Sequence, residues 1–347
     1  MNYFQPAVKL FSLTLPRFLS FGLMLLFLVS CASNSPDASV ANVPLPDWVL
    51  SPPQDNGLYY YGIGQGRSIE QSKISALKDV SSKISVTVSG SSSTSSTLLN
   101  EKFRQWASVN TKSVVDAIKI TDFDLVKNIQ VQAGYYSLVK VSKEIIFNDV
   151  MLALQSLDQQ MSDKVLRIES LSLLEQYAAW REIEGLIPAA TSKAFILKSV
   201  DGDFNVSSYS QKYNTYLSRS ESVLKSLNIY VTSDRKFNDI ARGIVSALSH
   251  YGIKSSHQKT SSTNSKIIVS GTERNAFVFD SYIVNMTLNF DLLDKQEKII
   301  KAQPVSLSGS SSIDYKSARI AASRNLVSEI DKTGVISFLG LRDIHLK

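Results

Sequence analysis

Leu58-Tyr59-Tyr60-Tyr61-Gly62-Ile63-Gly64-Gln65-Gly66 runs straight into Arg67-Ser68-Ile69, and this junction decides how the first folded unit is read. Leu58 to Ile63 is dominated by aromatic and β-branched residues, the composition of a strand. Gly62 to Gly66 then reads as a tight turn, because glycine enters left-handed backbone without steric cost. Ser68 stands where an N-cap is expected, and Ile74, Leu77, Val80 and Ile84 recur at helical spacing over 69–84. Ile84-Ser85-Val86-Thr87-Val88-Ser89 alternates apolar with small polar residues, so a second strand is expected, followed by a Ser/Thr/Gly loop over 89–97. Glu101 to Ile118 returns to a helical period with Phe103, Trp106, Val109 and Val114 inward. Thr121–Val131 and Tyr135–Val141 read as a hairpin turning at Ala133-Gly134.

Beyond Lys143 the apolar period becomes helical and stays so to about Leu186. Ile146, Val150, Ala153, Leu154, Leu157 and Met161 form one stripe, and Val165, Ile168, Leu171 and Leu174 continue it. Two arrangements fit: a helical hairpin or antiparallel coiled coil, or two ordinary helices broken near Ser162. Gly185 and Pro188 end the run, and a further helix spans Ser207–Leu227. A second unit opens at Asn228, with a strand at Ile229-Tyr230-Val231, a helix over Phe237–His250 and a strand at Ile267–Gly271. Tyr282–Leu293 alternates as a half-buried strand should, pairs with Lys298–Ser308 across Asp294-Lys295-Gln296, and is followed by a helix over Ser312–Ile330. The expected class is α+β: two small strand–helix–antiparallel-sheet modules at 47–143 and 228–347, joined by a helical segment at 144–227. Ser68-Ile69-Glu70 and Ser312-Ile313-Asp314 open helices in the same way, and a shared N-cap habit accounts for this more simply than duplication.

The amino-terminal residues 1–30 carry Lys9 and Arg17, then the apolar run Phe18–Val29, which is too short for the roughly 20 residues a bilayer span requires. Leu28-Val29-Ser30-Cys31 contains the only cysteine of the chain and resembles a bacterial lipobox. The resemblance implies cleavage before Cys31, a diacylglycerol on its thiol and acylation, typically by palmitate, of the new amino terminus. Several acyl chains at about 0.8 kcal/mol per buried methylene make a stable anchor where one is marginal. Ala32 follows the cysteine. By resemblance to proteobacterial sorting, where aspartate there marks inner-membrane retention, Ala32 directs the protein to the outer membrane, facing the periplasm. Residues 31–46 are poor in large apolar residues and read as a tether, spanning at most about 50 Å when extended.

Losing Lys9 and Arg17 lowers the formal charge from +6 to +4, too mild a balance to argue for nucleic acid. A mature chain without cysteine has no disulfides, so apolar burial must hold it together. Gly62-x-Gly64-x-Gly66 misses the dinucleotide fingerprint by one residue and lacks the Lys-Ser/Thr of a P-loop, although Arg67 stands beside the helix start. His250, His257 and His345 have no metal-ligand spacing, Asp122 and Asp124 read as solvated edge charges, and no nucleophile elbow occurs. No cofactor and no catalytic residues are expected. Alternate tyrosines of Tyr59-Tyr60-Tyr61 and Tyr135-Tyr136 must face opposite ways, which leaves two readings: Tyr60, Tyr135 and Tyr136 as candidates for a partner surface, or tyrosines lying over a small core with their hydroxyls in water. Trp48 either plugs the module's core or joins that surface.

Pro46-Asp47-Trp48, Tyr60-Tyr61-Gly62-Ile63-Gly64, the Ser/Ala-rich helix with Ala76-Leu77 and Ile84, and Gly134-Tyr135-Tyr136-Ser137-Leu138-Val139 together resemble the LPP20 (LPP-twenty) family of bacterial lipoproteins. Ser72 and Ser75 stand where that family often has alanine. The resemblance implies a non-enzymatic structural or assembly component of the cell envelope, in some relatives beside the flagellar basal body, and it brings no catalytic residues. Residues 228–341 more loosely resemble small periplasmic domains of the Tol system and of lipoprotein activators of penicillin-binding proteins. That supplies an alternative reading, an activator of a peptidoglycan synthase. The expected partners are outer-membrane lipid through acylated Cys31 and envelope proteins of flagellar or cell-wall machinery.

Overall fold

Strand β1 (Tyr59–Gly66) pairs antiparallel with β3 (Gly134–Ser142), which pairs with β2 (Asp124–Val131), so the first sheet has the order β1-β3-β2. The computed structural model describes residues 44–94 and 120–342. Cys31, Ala32, the helix expected at 101–118 and His345 lie outside the described residues. A single turn, α1 (Asp47–Leu50), precedes the sheet. Two sequence expectations fail here. The Gly62–Gly66 motif is not a turn but the second half of β1, and the strand expected at 84–89 with its following loop is replaced, through Thr94, by one continuous helix α2 (Ile69–Thr94). The cause is a tertiary one. Ser72, Ala76, Val80, Ile84 and Val88 recur every four residues and are all buried on the face that meets the sheet and the helix over Leu173–Val200, while Ile74 and Val86 face outward. The β-favouring run at 84–88 is therefore held helical by the face it buries.

The helical run continues through α3 (Lys143–Ile168), α4 (Leu173–Val200) and α5 (Val206–Ser226). The hairpin alternative holds. The break falls at Glu169–Ser172, not at Ser162, and Ser172 and Glu175 form a reciprocal capping box that starts α4. Gly185 and Pro188 do not end the run: α4 passes through both. Proline in a helix costs about 3 kcal/mol, but Ile183, Ile187, Ala190, Ala194, Phe195 and Leu197 are buried around it, and that burial outweighs the lost backbone bond.

The second sheet has the order β5-β4-β6-β7-β8. Strand β4 (Asn228–Ser233) is parallel to β5 (Lys254–Ser256) and to β6 (Ser265–Val278); β7 (Ser281–Leu293) and β8 (Ile299–Ser311) extend it antiparallel. Helix α6 (Asn238–His250) and helix α7 (Tyr315–Thr333) cover one face, and a last turn α8 (Val335–Phe338) closes beside α7. The alternation read in Tyr282–Leu293 is present: Val284, Met286 and Leu288 are buried, Asn285 and Thr287 exposed. Helix α7 starts later than expected because the Asp314 carboxylate, not Ser312, accepts from the Ser317 N–H as its cap. The class is α+β. Two apolar cores result, and α4 contributes to both, with Leu174, Tyr177 and Ala178 in the second and Ala179 to Leu197 in the first.

Candidate functional site

Helix α2 rests directly on the backbone of β1. A Cβ on Gly62 would stand 2.2 Å from the Ala76 carbonyl oxygen, and one on Gly64 2.1 Å from the Ala76 nitrogen. Glycine is required for this approach and not for a turn. Beside the seam, the hydroxyls of Ser72 and Ser137 lie 2.6 Å apart, fully buried. The start of α2 is satisfied within the chain. Ser68 Oγ accepts from the Gln71 N–H, and Gln71 Oε1 accepts from the Arg67 N–H, so these two N–H groups beside Arg67 are already met by side chains and not left for an anion.

The tyrosines separate as period two demands. Tyr60 shares the helix-facing side with Gly62 and Gly64 and is 5% exposed. Its hydroxyl donates to the Ser199 carbonyl at 3.5 Å, and Lys143 Nζ lies 4.6 Å from the ring centre. Burial, then the Asp55 charge, pushes the Tyr60 pKa up to about 12. Tyr60 is thus a core residue, and its nomination for a partner surface is withdrawn, because a side chain packed under α2 has no face to offer. Tyr135 and Tyr136 are half-buried, on opposite sides of β3. Tyr59 and Tyr61 share the side of Tyr136; Lys140 Nζ stands 4.5 Å from the Tyr59 ring and 3.0 Å from Asp124. Trp48 is half-buried and belongs to neither apolar core.

Clefts among the described residues lie elsewhere. A groove of about 360 Å³ between α3, α4 and α5 has walls of Val165, Ile168, Trp180 and Val223, with Glu169 and Arg219 at its rim. A second cleft of about 270 Å³ lies beyond the carboxyl ends of β4 and β5, lined by Ser233, Asn238, Arg242 and His257. His257 Nδ1 is 3.2 Å from the Val231 carbonyl oxygen, and Arg242 is paired with Asp239. Sequence reading found neither cleft. Their linings come from segments far apart in the chain, and none of their side chains has a local pattern that marks it. Among the described residues, no cluster of three or more His, Cys, Asp or Glu side chains could hold a metal ion. His250 ends α6, away from both clefts.

A small sheet fused through glycines to one long helix, and followed by helices and a second sheet, defines the α+β class of this chain. Residues 46–142 match the LPP20 lipoprotein family. That stretch contains α1, all three strands of the first sheet and α2, so the match falls on the first module of this chain. No protein of curated function matches the chain. Among solved structures it is similar to a secreted protein of the human pathogen Helicobacter pylori, at 16% identity over 82% of this chain and 98% of that one, with a TM-score of 0.48. A minor lipoprotein of Acinetobacter baumannii aligns at 14% identity over 30% of this chain and 88% of its own, TM-score 0.24. A lipoprotein of Neisseria meningitidis aligns at 9% over 30% and 95%, TM-score 0.20.

Proposed function

We propose that this protein is a lipid-anchored, non-enzymatic structural or assembly component of the outer membrane, facing the periplasm and binding other envelope proteins. The observation that carries the reading is the coincidence of a lipoprotein-family module at 46–142 with a lipobox-like Leu28-Val29-Ser30-Cys31 a short distance upstream. Acylation of Cys31 supplies the anchor. The half-buried Tyr136, on the side of β3 away from α2, supplies aromatic contact area for a partner, with a flagellum-associated assembly as the setting to examine first.

Metabolic labelling with a palmitate analogue, followed by density separation of the two membranes, tests the reading. Label on the wild-type chain in the outer-membrane fraction, and none on Cys31→Ala, is expected. Label retained by Cys31→Ala, or none on the wild type, overturns the anchor.

A further inference from the structure

Strands β6 and β7 run past the start of α7 and end in a turn, Val278-Phe279-Asp280-Ser281, in which Val278 pairs with Ser281. Both central residues have positive φ, 49° for Phe279 and 54° for Asp280. Two-residue hairpin turns of this hand favour Asn-Gly, since bulky side chains rarely adopt left-handed backbone. Phe279 occupies the strained position and is also 97% exposed. Nothing in the folding of the hairpin asks for a phenylalanine there, so both backbone and solvation oppose it.

The tip is not an isolated exposed residue. Phe277 is 56% exposed and Val278 lies beside it, while Ile313, just beyond the end of β8, is 74% exposed. Tyr282 joins Phe277 at 4.8 Å between ring centres and Tyr315 at 5.0 Å, so an aromatic row runs from the tip to the first residue of α7. Arg274 stands four residues before the end of β6, about 13 Å at strand rise, exposed and without an acidic partner among the described residues. Lys316 is exposed in the first turn of α7.

We propose that this tip is a second membrane contact, in which Phe277, Phe279 and Ile313 insert into the interfacial region of a phospholipid bilayer. The prominence is convex, so it offers no groove for a peptide and suits a fluid phase that closes around it. Phe277, Phe279 and Ile313 put aromatic and aliphatic side chains at the end, Arg274 is set back by roughly a headgroup depth, and the exposed Asp280 carboxylate of the same turn stays at headgroup level. The inference rests on the lipid anchor. A tether reaching at most about 50 Å keeps the folded part near one bilayer, which makes the second contact effectively intramolecular.

Because Cys31 is the only cysteine and is acylated in that reading, Phe279→Cys gives a unique site for a nitroxide on the full acylated chain in phosphatidylethanolamine–phosphatidylglycerol vesicles. Ile299→Cys, exposed at the opposite end of the same sheet, is the reference. The label at 279 is expected to be reached by oxygen and shielded from an aqueous nickel chelate, with the reverse at 299. Adding Phe277→Ser and Ile313→Ser should return the label at 279 to water with unchanged far-ultraviolet circular dichroism. Flotation with the vesicles reads the anchor separately: a chain that floats while residue 279 stays aqueous overturns the tip and leaves the anchor standing. A label that stays aqueous in protein-free vesicles and is shielded only in native envelope membranes assigns the tip to a protein partner and equally overturns the proposal.

Discussion

Ser72 and Ser137 share a buried hydrogen bond of 2.6 Å that joins α2 to β3. Its direction follows from the neighbours. Ser72 donates to the Ile69 carbonyl at 2.8 Å, so its oxygen must accept from Ser137. Asn128 Nδ2 in turn donates to Ser137 at 2.8 Å. The chain therefore runs Asn128, Ser137, Ser72, Ile69, each member oriented by the next.

The two serines are predicted to be unequal. Ser72→Ala strands the Ser137 proton in a buried site and should cost about 1–3 kcal/mol. Ser137→Ala leaves Ser72 bonded to Ile69 and Asn128 bonded to the Tyr136 carbonyl, so it should cost clearly less. Urea unfolding of both variants and the double variant gives the coupling; equal single costs that simply add would refute the directed chain.

How far this was legible follows from the same residues. The strand at 59–63, the hairpin 124–142 and the alternation in 281–293 carry local signals that survive in the fold, as does the α+β class. The GxGxG motif was misread because glycine signals a turn and a close helix approach with the same letter, and only the position of Ala76 distinguishes them. Ile84 to Val88 has strand composition, yet the sheet surface it covers lies in segments before and after it in sequence. Ser72 looked like a mild departure from alanine because its partner Ser137 is 65 residues away. Phe279 escaped notice because a bulky residue at the first central position masks the turn that Asp280 and Ser281 mark only weakly.

The glycine seam sets a stability prediction with its own control. Gly64→Ala must push β1 from α2, since the new Cβ meets backbone atoms at 2.1 and 2.3 Å, and a loss of about 3 kcal/mol or more is expected. Gly309→Ala should behave alike in the second module, where the clash is 2.1 Å with the Ala318 carbonyl oxygen. Gly185→Ala has open space inside α4 and should stabilise by about 0.5–1 kcal/mol. Denaturation midpoints that move together for all three variants would contradict the seam.

Glu273 on β6 and Arg319 on α7 form a bidentate pair, with side chains 9% and 31% exposed. The hydrogen bonds from Arg319, ahead of its charge, hold the Glu273 pKa below the ordinary carboxylate range. A depressed folded pKa gives stability that is present above the unfolded value, near 4.3, and is lost as pH falls through the folded one. Glu273→Gln should cost about 1–2 kcal/mol at pH 7, and the gap to wild type should close in acid. A gap independent of pH would assign the cost to packing.

Sorting offers a prediction in cells. Ala32→Asp should move the acylated chain from the outer-membrane to the inner-membrane fraction without changing its palmitate label. Wild type already in the inner-membrane fraction would refute the outer-membrane placement.

Tyr60 and Tyr136 test which face of the first module is core and which meets a partner. Tyr60 is 5% exposed and belongs to the same apolar core as Val80, Val139 and Ile146, so Tyr60→Ala should cost about 3–5 kcal/mol. Lys143 over its ring adds about 0.5–1 kcal/mol, which Lys143→Met should remove on its own. Trp48→Ala should cost less than Tyr60→Ala, since its ring is half-exposed and outside both cores. Tyr136→Ser should leave the urea midpoint within about 1 kcal/mol of wild type and weaken association with envelope proteins in detergent-solubilised membranes. A Tyr136→Ser chain that melts and assembles like wild type would remove that tyrosine from the partner surface. The same result for Tyr60→Ala in unfolding would contradict its burial under α2.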